Sequence, residues 1–271
     1  TRISQFSKLN ESRLAIGELS ITQALNMIKD HPRKDEINRA RITGKDDKDK
    51  PYSLYQFGEM VDNNYYNYIK NEVGAFTWSV NVGEIRRTKS KLSDDNLTGF
   101  IYYDIDQTNL PLDELINRIK EEAYVVACWK SFGGKGAGFL VQVDGLTLNN
   151  YLSTWEHYKE AIEKNLSKDN FNDKESVVIF DKATKDYTRL NAISYDPDIY
   201  INESFYPISS IEPTVKKIVN NFSTIELSVS PMINSNMLFV LDKIYDVKEY
   251  NDGTRLTYPF YVKFFSETNF M

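Results

Sequence analysis

One short segment constrains the fold of this chain more than any other. The run from Phe100 to Ile105 is apolar except for Asp104, and Asp106 follows it directly. Side chains alternate between the two faces of a β-strand, so Asp104 and Asp106 point to one side. Ile101 and Tyr103 point into the opposite layer, as Ile105 does. The segment therefore predicts a buried strand that carries two carboxylates side by side at its exposed end.

Two neighbouring carboxylates repel each other, and the pKa of one is expected to rise unless a divalent cation lies between them. Mg²⁺ or Mn²⁺, which prefer hard oxygen ligands, are the natural occupants. A strand that runs out into solvent and ends in two acids would give the same pattern. The apolar run directly before Asp104 favours the metal site, because it indicates the end of a buried strand.

A third carboxylate is normally needed to hold such ions, and Asp181 is the best candidate. It ends a second apolar run, Val177 to Phe180. Asp186, Asp196 and Asp198 compete for this role. The sequence Asp196-Pro197-Asp198 is more typical of a turn, because Asp caps turns and Pro presets φ.

A glycine-rich turn between residues 131 and 138 contains the parts of a phosphate site. It offers unobstructed backbone amides, a hydroxyl and a cation, from Ser131, Gly133, Gly134, Lys135 and Gly136. An ordinary hairpin loop would show the same glycine content, but the position between two acid-bearing strands favours a site. Arg189 could direct its guanidinium at bound phosphates or form a surface ion pair with Asp186.

One dense basic cluster precedes the acid pair and consists of Arg86, Arg87, Lys89 and Lys91. Such clusters are usually solvated loop faces, yet this one could hold the phosphates of a template or primer. The aromatic residues Tyr65, Tyr66, Tyr68 and Trp78 could stack on bases, although most aromatic residues of this kind are core or interface residues.

Composition excludes several classes of protein. The 271 residues contain no stretch near the roughly 18 uncharged apolar residues of a membrane span, so no membrane association is expected. The one cysteine, Cys128, cannot form an internal disulfide, which favours a reducing, cytoplasmic location. The two histidines offer no cluster for zinc or for a His-dependent triad. The net charge of −6 argues mildly against a protein that coats nucleic acid by bulk charge.

Periodicity predicts a succession of helices and strands. Within the segment 18–38, one amphipathic helix is expected to end near His31, and a second helix is expected to follow over 33–41. Further helices are expected over 54–73, 112–122 and 148–166. Strands are expected over 75–82, 99–105, 124–129, 139–143, 177–180 and 190–194. The strand ending at Asp106, the helix after it and the strand at 124–129 form a βαβ unit, and the glycine-rich turn makes the next strand a hairpin partner.

Read in order, these motifs resemble the archaeo-eukaryotic primase superfamily of primase-polymerases, most closely the VirE-N-like branch of bacterial mobile elements and phages. The segment Gly99 to Asp106 is similar to the first acidic motif of that superfamily, and Ser131 to Gly138 to the second. Phe180-Asp181 together with the segment Arg189 to Asn202 is similar to the third motif and its extension. The strand that begins at Ala75, ahead of the basic loop, also resembles that branch. The resemblance covers about half of the chain, from Asn71 to Asn202.

The resemblance implies an α+β fold in which an N-terminal α/β module packs on an RRM-like mixed sheet with flanking helices. It divides the chain into an N-terminal helical segment (1–70), a catalytic core (71–210) and a C-terminal segment (211–271). The last segment would complete the core or begin an accessory domain.

The function that the resemblance implies is DNA priming or primer extension by a template-dependent nucleotidyltransferase. Two Mg²⁺ or Mn²⁺ ions would be held by Asp104, Asp106 and Asp181, and a 3′-hydroxyl would attack the α-phosphate of a (d)NTP. The glycine-rich turn and Arg189 would bind the triphosphate. The partners would be a DNA template and primer, with a helicase or accessory priming domain, in the replication or repair of mobile or phage DNA.

One departure from the superfamily matters, because many of its members carry a histidine at the end of the second motif, at or near the place of Gly138 here. Either Lys135 supplies the missing donor or nucleotide binding is weak. A non-catalytic nucleic-acid-binding module with the same fold is therefore the alternative. A nucleotide-sugar transferase also uses Asp-x-Asp, but nothing in the sequence suggests a sugar pocket.

Overall fold

The described part of the chain is a mixed α+β fold. In the computed structural model it comprises residues 1–10, 14–56, 59–167 and 177–213, and all of them belong to one unit that spans residues 1–215. Of the predicted C-terminal segment, 211–271, residues 211–213 are described and residues 214–271 lie outside the described part. No helix in these ranges combines the length and apolar character that crossing a membrane requires.

The elements of the described part alternate between strands and helices along the chain. The strands are β1 (Arg2–Phe6), β2 (Gly17–Ser20), β3 (Tyr52–Gln56), β4 (Glu59–Asn63), β5 (Ala75–Thr77), β6 (Phe100–Thr108), β7 (Val125–Lys130), β8 (Ala137–Asp144), β9 (Val178–Phe180), β10 (Asn191–Ala192), β11 (Tyr200–Ile201) and β12 (Ile208–Ser209). The helices are α1 (Ile21–Lys29), α2 (Lys34–Thr43), α3 (Tyr65–Glu72), α4 (Leu112–Lys120) and α5 (Tyr151–Leu166).

The larger sheet places β6 among its inner strands. Its order is β11-β7-β8-β6-β9, and β12 adds a short parallel pairing at the end of β8. Strand β6 is antiparallel to both β8 and β9, and β7 is antiparallel to β8. Strands β6 and β7 therefore run in the same direction with α4 as their crossover, and β8 lies between them. The predicted βαβ unit and the β7–β8 hairpin are both confirmed.

Helices cover one face of this sheet. Ile101, Tyr103 and Ile105 of β6 pack there against the apolar stripes of α4 and α5, formed by Leu115, Ile116, Ile119, Trp155 and Ile162. In α4 the buried residues recur at a spacing of three or four, as expected for a helix that covers a sheet with one face. Residues 101, 103 and 105 alternate with Tyr102, Asp104 and Asp106, so the two carboxylates belong to the opposite face.

That opposite face packs against the N-terminal part of the chain. Phe100, Tyr102 and Trp129 form one core there with α1 and with a second, antiparallel sheet of order β10-β5-β1-β2. Helix α1 starts at a capping box, in which Ser20 accepts a hydrogen bond from the Gln23 backbone and the Gln23 side chain accepts one from the Ser20 N–H. Strand β1 pairs directly with β5. Residues before and after position 70 thus share a sheet.

The segment 54–73 differs from the sequence prediction. A helix was expected throughout, but β3 and β4 form an antiparallel ribbon, and only α3 is helical. The reason is packing of the ribbon on the helix: Tyr52 stacks on Tyr68 with ring centroids 4.9 Å apart, and Leu54 is buried on the same side. Alternation with exposed Ser53 and Tyr55 fits a strand.

Candidate functional site

One cavity gathers most of the residues that the sequence predicted. It lies at the Tyr102 face of β6, and its lining includes Asp104, Asp106, Asp181, Ser131, Gly133, Lys135 and Arg189. The N-terminal part of the chain adds further lining residues, among them Arg41, Lys45, Tyr66 and Lys70. The two remaining residues of the predicted phosphate site, Gly134 and Gly136, belong to the same loop but are not among the lining residues.

Backbone pairing brings the three acids together. Asp104 lies opposite Gly138 of β8 in the ladder, and the Asp181 N–H donates to the Asp104 carbonyl at 2.7 Å. The β6–β9 register shifts between Ile105 and Gln107, which leaves Asp106 at an irregularity of the kind that often redirects side chains next to sites. One oxygen of Asp181 accepts the Ala183 N–H at 2.8 Å and caps a short 3₁₀ turn.

The negative charge of Asp104 is poorly compensated by its surroundings. Its Oδ1 is buried and has no hydrogen-bond partner among the described residues. Burial raises the pKa of Asp104 to about 7, the charge of Asp106 adds to this rise, and Lys70 opposes it. The pKa of Asp106 is also raised, first by burial and then by the charge of Asp181. Such a carboxylate pair is costly without a cation beside it.

The donor chemistry therefore suits a hard divalent cation, which Asp104 and Asp106 could hold with Asp181 as a third oxygen ligand. The side chains are not arranged as a closed cage: within the described ranges, no three Asp, Glu, His or Cys residues form a metal-binding group. Convergence of the third carboxylate on an ion would require side-chain movement.

Hydrogen bonds between its two ends close the glycine-rich loop that connects β7 and β8. Ser131 N–H donates to the Gly136 carbonyl at 2.9 Å, and Gly136 N–H donates to Ser131 Oγ at 3.3 Å. Across the described part of the chain, the N–H groups of Gly133 and Lys135 have no protein acceptor. A Cβ at Gly136 would lie 1.7 Å from the Ile105 carbonyl oxygen, so the loop backbone rests directly against the acid-bearing strand.

Four cations that line the cavity have no partner among the described residues. The charged groups of Lys45, Lys70, Lys135 and Arg189 make no hydrogen bond or ion pair with any residue that the structure describes. Asp186, the alternative partner for Arg189, instead pairs with Lys89 at 3.2 Å. Lys70, Lys45 and Arg189 all lower the pKa of Asp106, so their charges act on the acids from a distance.

The predicted basic cluster lies outside the cavity, and two of its four residues are engaged in contacts with other parts of the chain. Arg87 is largely engaged in structure: it donates to the Thr188 carbonyl at 2.6 Å, and burial lowers its pKa. Lys89 pairs with Asp186 and lies over the Tyr187 ring. Arg86 and Lys91 are exposed. Within this cluster, Arg86 and Lys91 are the two residues whose charges are not engaged by any described residue.

The other candidates are accounted for by packing. Tyr66 lines the cavity, whereas Trp78 lies in the core and Tyr65 packs on the ribbon with Tyr68. Asp196 is buried and accepts the Lys130 N–H at 2.8 Å and the Asp198 N–H at 3.2 Å, as the turn interpretation predicted.

Gly138 is the position at or near which the motif resemblance predicted a histidine. A Cβ there would lie 2.6 Å from the Tyr102 hydroxyl and 3.0 Å from Trp129 Nε1. Both of these side chains line the cavity. The space beside Gly138 is therefore filled by two aromatic residues with polar tips.

The sequence did not predict that Arg41, Lys45 and Lys70 belong to the site. Lys70 carried a usable signal, because it follows Tyr66 by four positions and so shares its helix face. Arg41 and Lys45 carried none: Arg41 reaches the loop through a contact between residues 91 positions apart in the chain, and the position of Lys45 in the cavity lining also depends on the folded chain.

Comparison with known proteins gives one match. A family model described as BT4734-like, N-terminal domain, matches residues 69–201, just under half of the chain. That range includes the three acids, the glycine-rich loop and Arg189, and it excludes Arg41 and Lys45. No curated protein and no solved structure matches the chain.

Proposed function

We propose that the chain is a DNA primase or primase-polymerase domain that transfers a nucleotide from a (d)NTP to a 3′-hydroxyl on a nucleic-acid template. The observation that carries this proposal is the meeting, in one cavity, of three carboxylates from two strands with the glycine-rich loop and unpaired cations. The split βαβ arrangement around β6 is in keeping with the RRM-like sheet of such a core.

The charges of the cavity favour a polyphosphate ligand. Five basic side chains and three acidic ones line it. Once a divalent ion offsets the acids, the remaining positive charge is uncompensated, and a triphosphate is the common biological anion with the charge to match it. This local excess of cations limits the objection raised by the net charge of −6 to nucleic acid that extends beyond the cavity.

Each part of the site then has a role. Asp104 and Asp106 would hold divalent Mg²⁺ or Mn²⁺ ions, with Asp181 as a third ligand. When bound, such ions would lower the cost of deprotonating the 3′-hydroxyl and neutralise charge that develops on the leaving pyrophosphate. The Gly133 and Lys135 amides, Ser131 Oγ and the Lys135 and Arg189 side chains bind phosphate oxygens and hold the triphosphate in line for attack.

The proposal extends to partners and setting. A DNA template and primer would contact Arg86 and Lys91 outside the cavity, and a helicase or accessory priming domain would assist synthesis. The work of the protein would be the replication or repair of mobile or phage DNA in the cytoplasm.

The direct test replaces the acids without changing their shape. Asp104→Asn with Asp106→Asn should reduce Mn²⁺-dependent nucleotide incorporation on a primed template by at least about 10³-fold, because electrostatic and metal stabilisation of the transition state is lost. Asp198→Asn, an exposed acid outside the cavity, is the matched control and should keep full activity. Unchanged incorporation by the double variant would overturn the proposal.

A second candidate function is a non-catalytic nucleic-acid-binding module. It is favoured by the lack of a closed three-residue metal group in the described ranges and by the absence of a side chain at Gly138. This candidate predicts salt-dependent template binding without Mn²⁺-dependent nucleotide binding. Calorimetry with Mn²⁺ and a dNTP, beside template binding at several salt concentrations, separates the two.

A further inference from the structure

Arg41 joins three separate parts of the chain. It lies in α2, and its Nε donates to the Phe132 carbonyl at 3.0 Å. Its Nη2 lies within hydrogen-bond distance of the Ser131 carbonyl at 3.0 Å, the Tyr195 carbonyl at 2.8 Å and Ser194 Oγ at 3.1 Å. One guanidinium thus connects the N-terminal helices to the first two residues of the glycine-rich loop and to the segment after β10.

The surroundings of Arg41 are those of a structural contact rather than a free ligand group. Burial lowers the pKa of its guanidinium, and the charge of Asp196 opposes that shift. Its acceptors are mainly neutral carbonyl oxygens, and no carboxylate forms an ion pair with it among the described residues. Its stem also fills the space behind the loop, because a Cβ at Gly134 would lie 3.1 Å from Arg41 Cδ.

Peptide geometry links these contacts to ligand binding. The Phe132 carbonyl and the Gly133 N–H belong to the same planar trans peptide unit and point in opposite directions. When Arg41 binds the Phe132 oxygen, the Gly133 N–H is directed away from Arg41. That N–H is among the loop amides without a protein acceptor in the described part of the chain.

We infer that Arg41 is a positioning residue, which holds the glycine-rich loop so that its free amides can bind a polyphosphate. Lysine cannot replace it, because a single ammonium group cannot reach the acceptors that the planar guanidinium spans. The identity of the ligand as a polyphosphate rests on the proposed function, whereas the control of the loop by Arg41 does not.

The test compares Arg41→Lys with Arg33→Lys, using inorganic tripolyphosphate as the probe in calorimetry. Arg33 is a matched control, since it also donates to a backbone carbonyl, that of Glu72 at 2.7 Å, but does not line the cavity. We expect Arg41→Lys to weaken tripolyphosphate binding at least 10-fold and Arg33→Lys to change it less than twofold. Arg41→Gln, which removes the buried charge and keeps two N–H donors, serves as the second variant in case Arg41→Lys does not fold.

A kinetic readout separates positioning from simple stabilisation. If Arg41 orients the loop, Arg41→Lys should raise KM for the nucleotide at least 10-fold and lower kcat less than threefold, because the loop amides bind substrate and transition state alike. Loss of folded protein alone would lower apparent kcat and leave KM unchanged. Faster amide hydrogen exchange at residues 133–136 in Arg41→Lys would accompany the change in KM.

The outcomes distinguish this inference from the proposed function. Wild-type protein that binds tripolyphosphate through Arg41 but incorporates no nucleotide would uphold the inference and overturn the function. Nucleotide incorporation by the wild type, together with an unchanged KM in Arg41→Lys, would uphold the proposed function and overturn the inference about Arg41. Wild-type protein that neither binds tripolyphosphate nor incorporates nucleotide would overturn both.

Discussion

At the scale of one residue, the ionised carboxylate of Asp104 lowers the stability of the metal-free fold, although the proposed function needs it as a metal ligand. Its Oδ1 is buried without a partner in the described part of the chain, and its pKa is raised to about 7, first by burial and then by the charge of Asp106. The folded state therefore disfavours the ionised form, which the unfolded chain tolerates. Asp196, which is buried, differs from Asp104 because backbone N–H groups donate to both of its carboxylate oxygens.

Asp104→Asn is expected to stabilise the metal-free protein by about 1–3 kcal/mol at pH 8. The pKa of Asp104 is higher in the folded state, so its protonated form contributes stability at low pH. That contribution is lost as pH rises from about 4 through about 7. The advantage of Asp104→Asn in urea unfolding should widen across this window and stay constant above it.

Addition of Mn²⁺ should close this gap by stabilising only the wild-type protein, because a ligand stabilises the state that binds it. Asp196→Asn is the control and should be destabilising at every pH in the window, since a buried N–H loses its acceptor. Equal unfolding free energies of wild type and Asp104→Asn at pH 8 without metal would contradict the assignment.

At the scale of elements, the site depends on how closely the loop after β7 approaches β6. Position 136 permits glycine alone, because a Cβ would lie 1.7 Å from a backbone oxygen that cannot move without breaking the β6 ladder. Sequence patterns predicted β6, β9 and the hairpin, since each is encoded by local alternation or by turn residues. The β3–β4 ribbon was predicted as helix, because the alternation in β3 is short and the packing of Tyr52 on Tyr65 and Tyr68, which supports the ribbon, is formed only in the folded chain.

Gly136→Ala should destabilise the fold by about 3 kcal/mol through overpacking against β6. The same substitution at Gly17, where a Cβ would meet nothing within 4 Å, is the matched control and should be nearly neutral. Thermal unfolding of the two variants side by side measures the difference. Equal melting temperatures for the two variants would show that the loop does not rest on β6 as described.

At the scale of the whole molecule, an acidic chain carries a local basic site. The cavity gathers Arg41, Lys45, Lys70, Lys135 and Arg189, which are far apart in the sequence and are brought together by the two sheets and by α2 and α3. The net charge of −6 remains a penalty for any long nucleic acid that runs beyond the cavity. Template affinity should therefore depend strongly on salt and on divalent metal.

Template binding is expected to involve Arg86 and Lys91, the exposed members of the basic cluster that form no ion pair with any described residue; Lys89 is also exposed but pairs with Asp186. The double variant Arg86→Ala with Lys91→Ala should make the slope of log affinity against log salt shallower by about 1.4 on single-stranded DNA, since two phosphate contacts are lost. Lys120→Ala with Lys164→Ala, on the helices that cover the other sheet face, is the control for equal loss of charge. Fluorescence anisotropy over a salt series measures both, and identical slopes for the two double variants would exclude this contact surface.

The sequence by itself determined the parts of the site that depend on local geometry. Alternation along one strand fixes Asp104 and Asp106 on a common face, an apolar run delivers Asp181 at its end, and glycine spacing makes the loop. The tertiary structure alone decided which cations meet those acids and what holds the loop in place. Arg41 reaches Phe132 across 91 positions and Tyr195 across 154. No periodicity within a helix or strand encodes such a contact, because it exists only once the sheets and helices have packed.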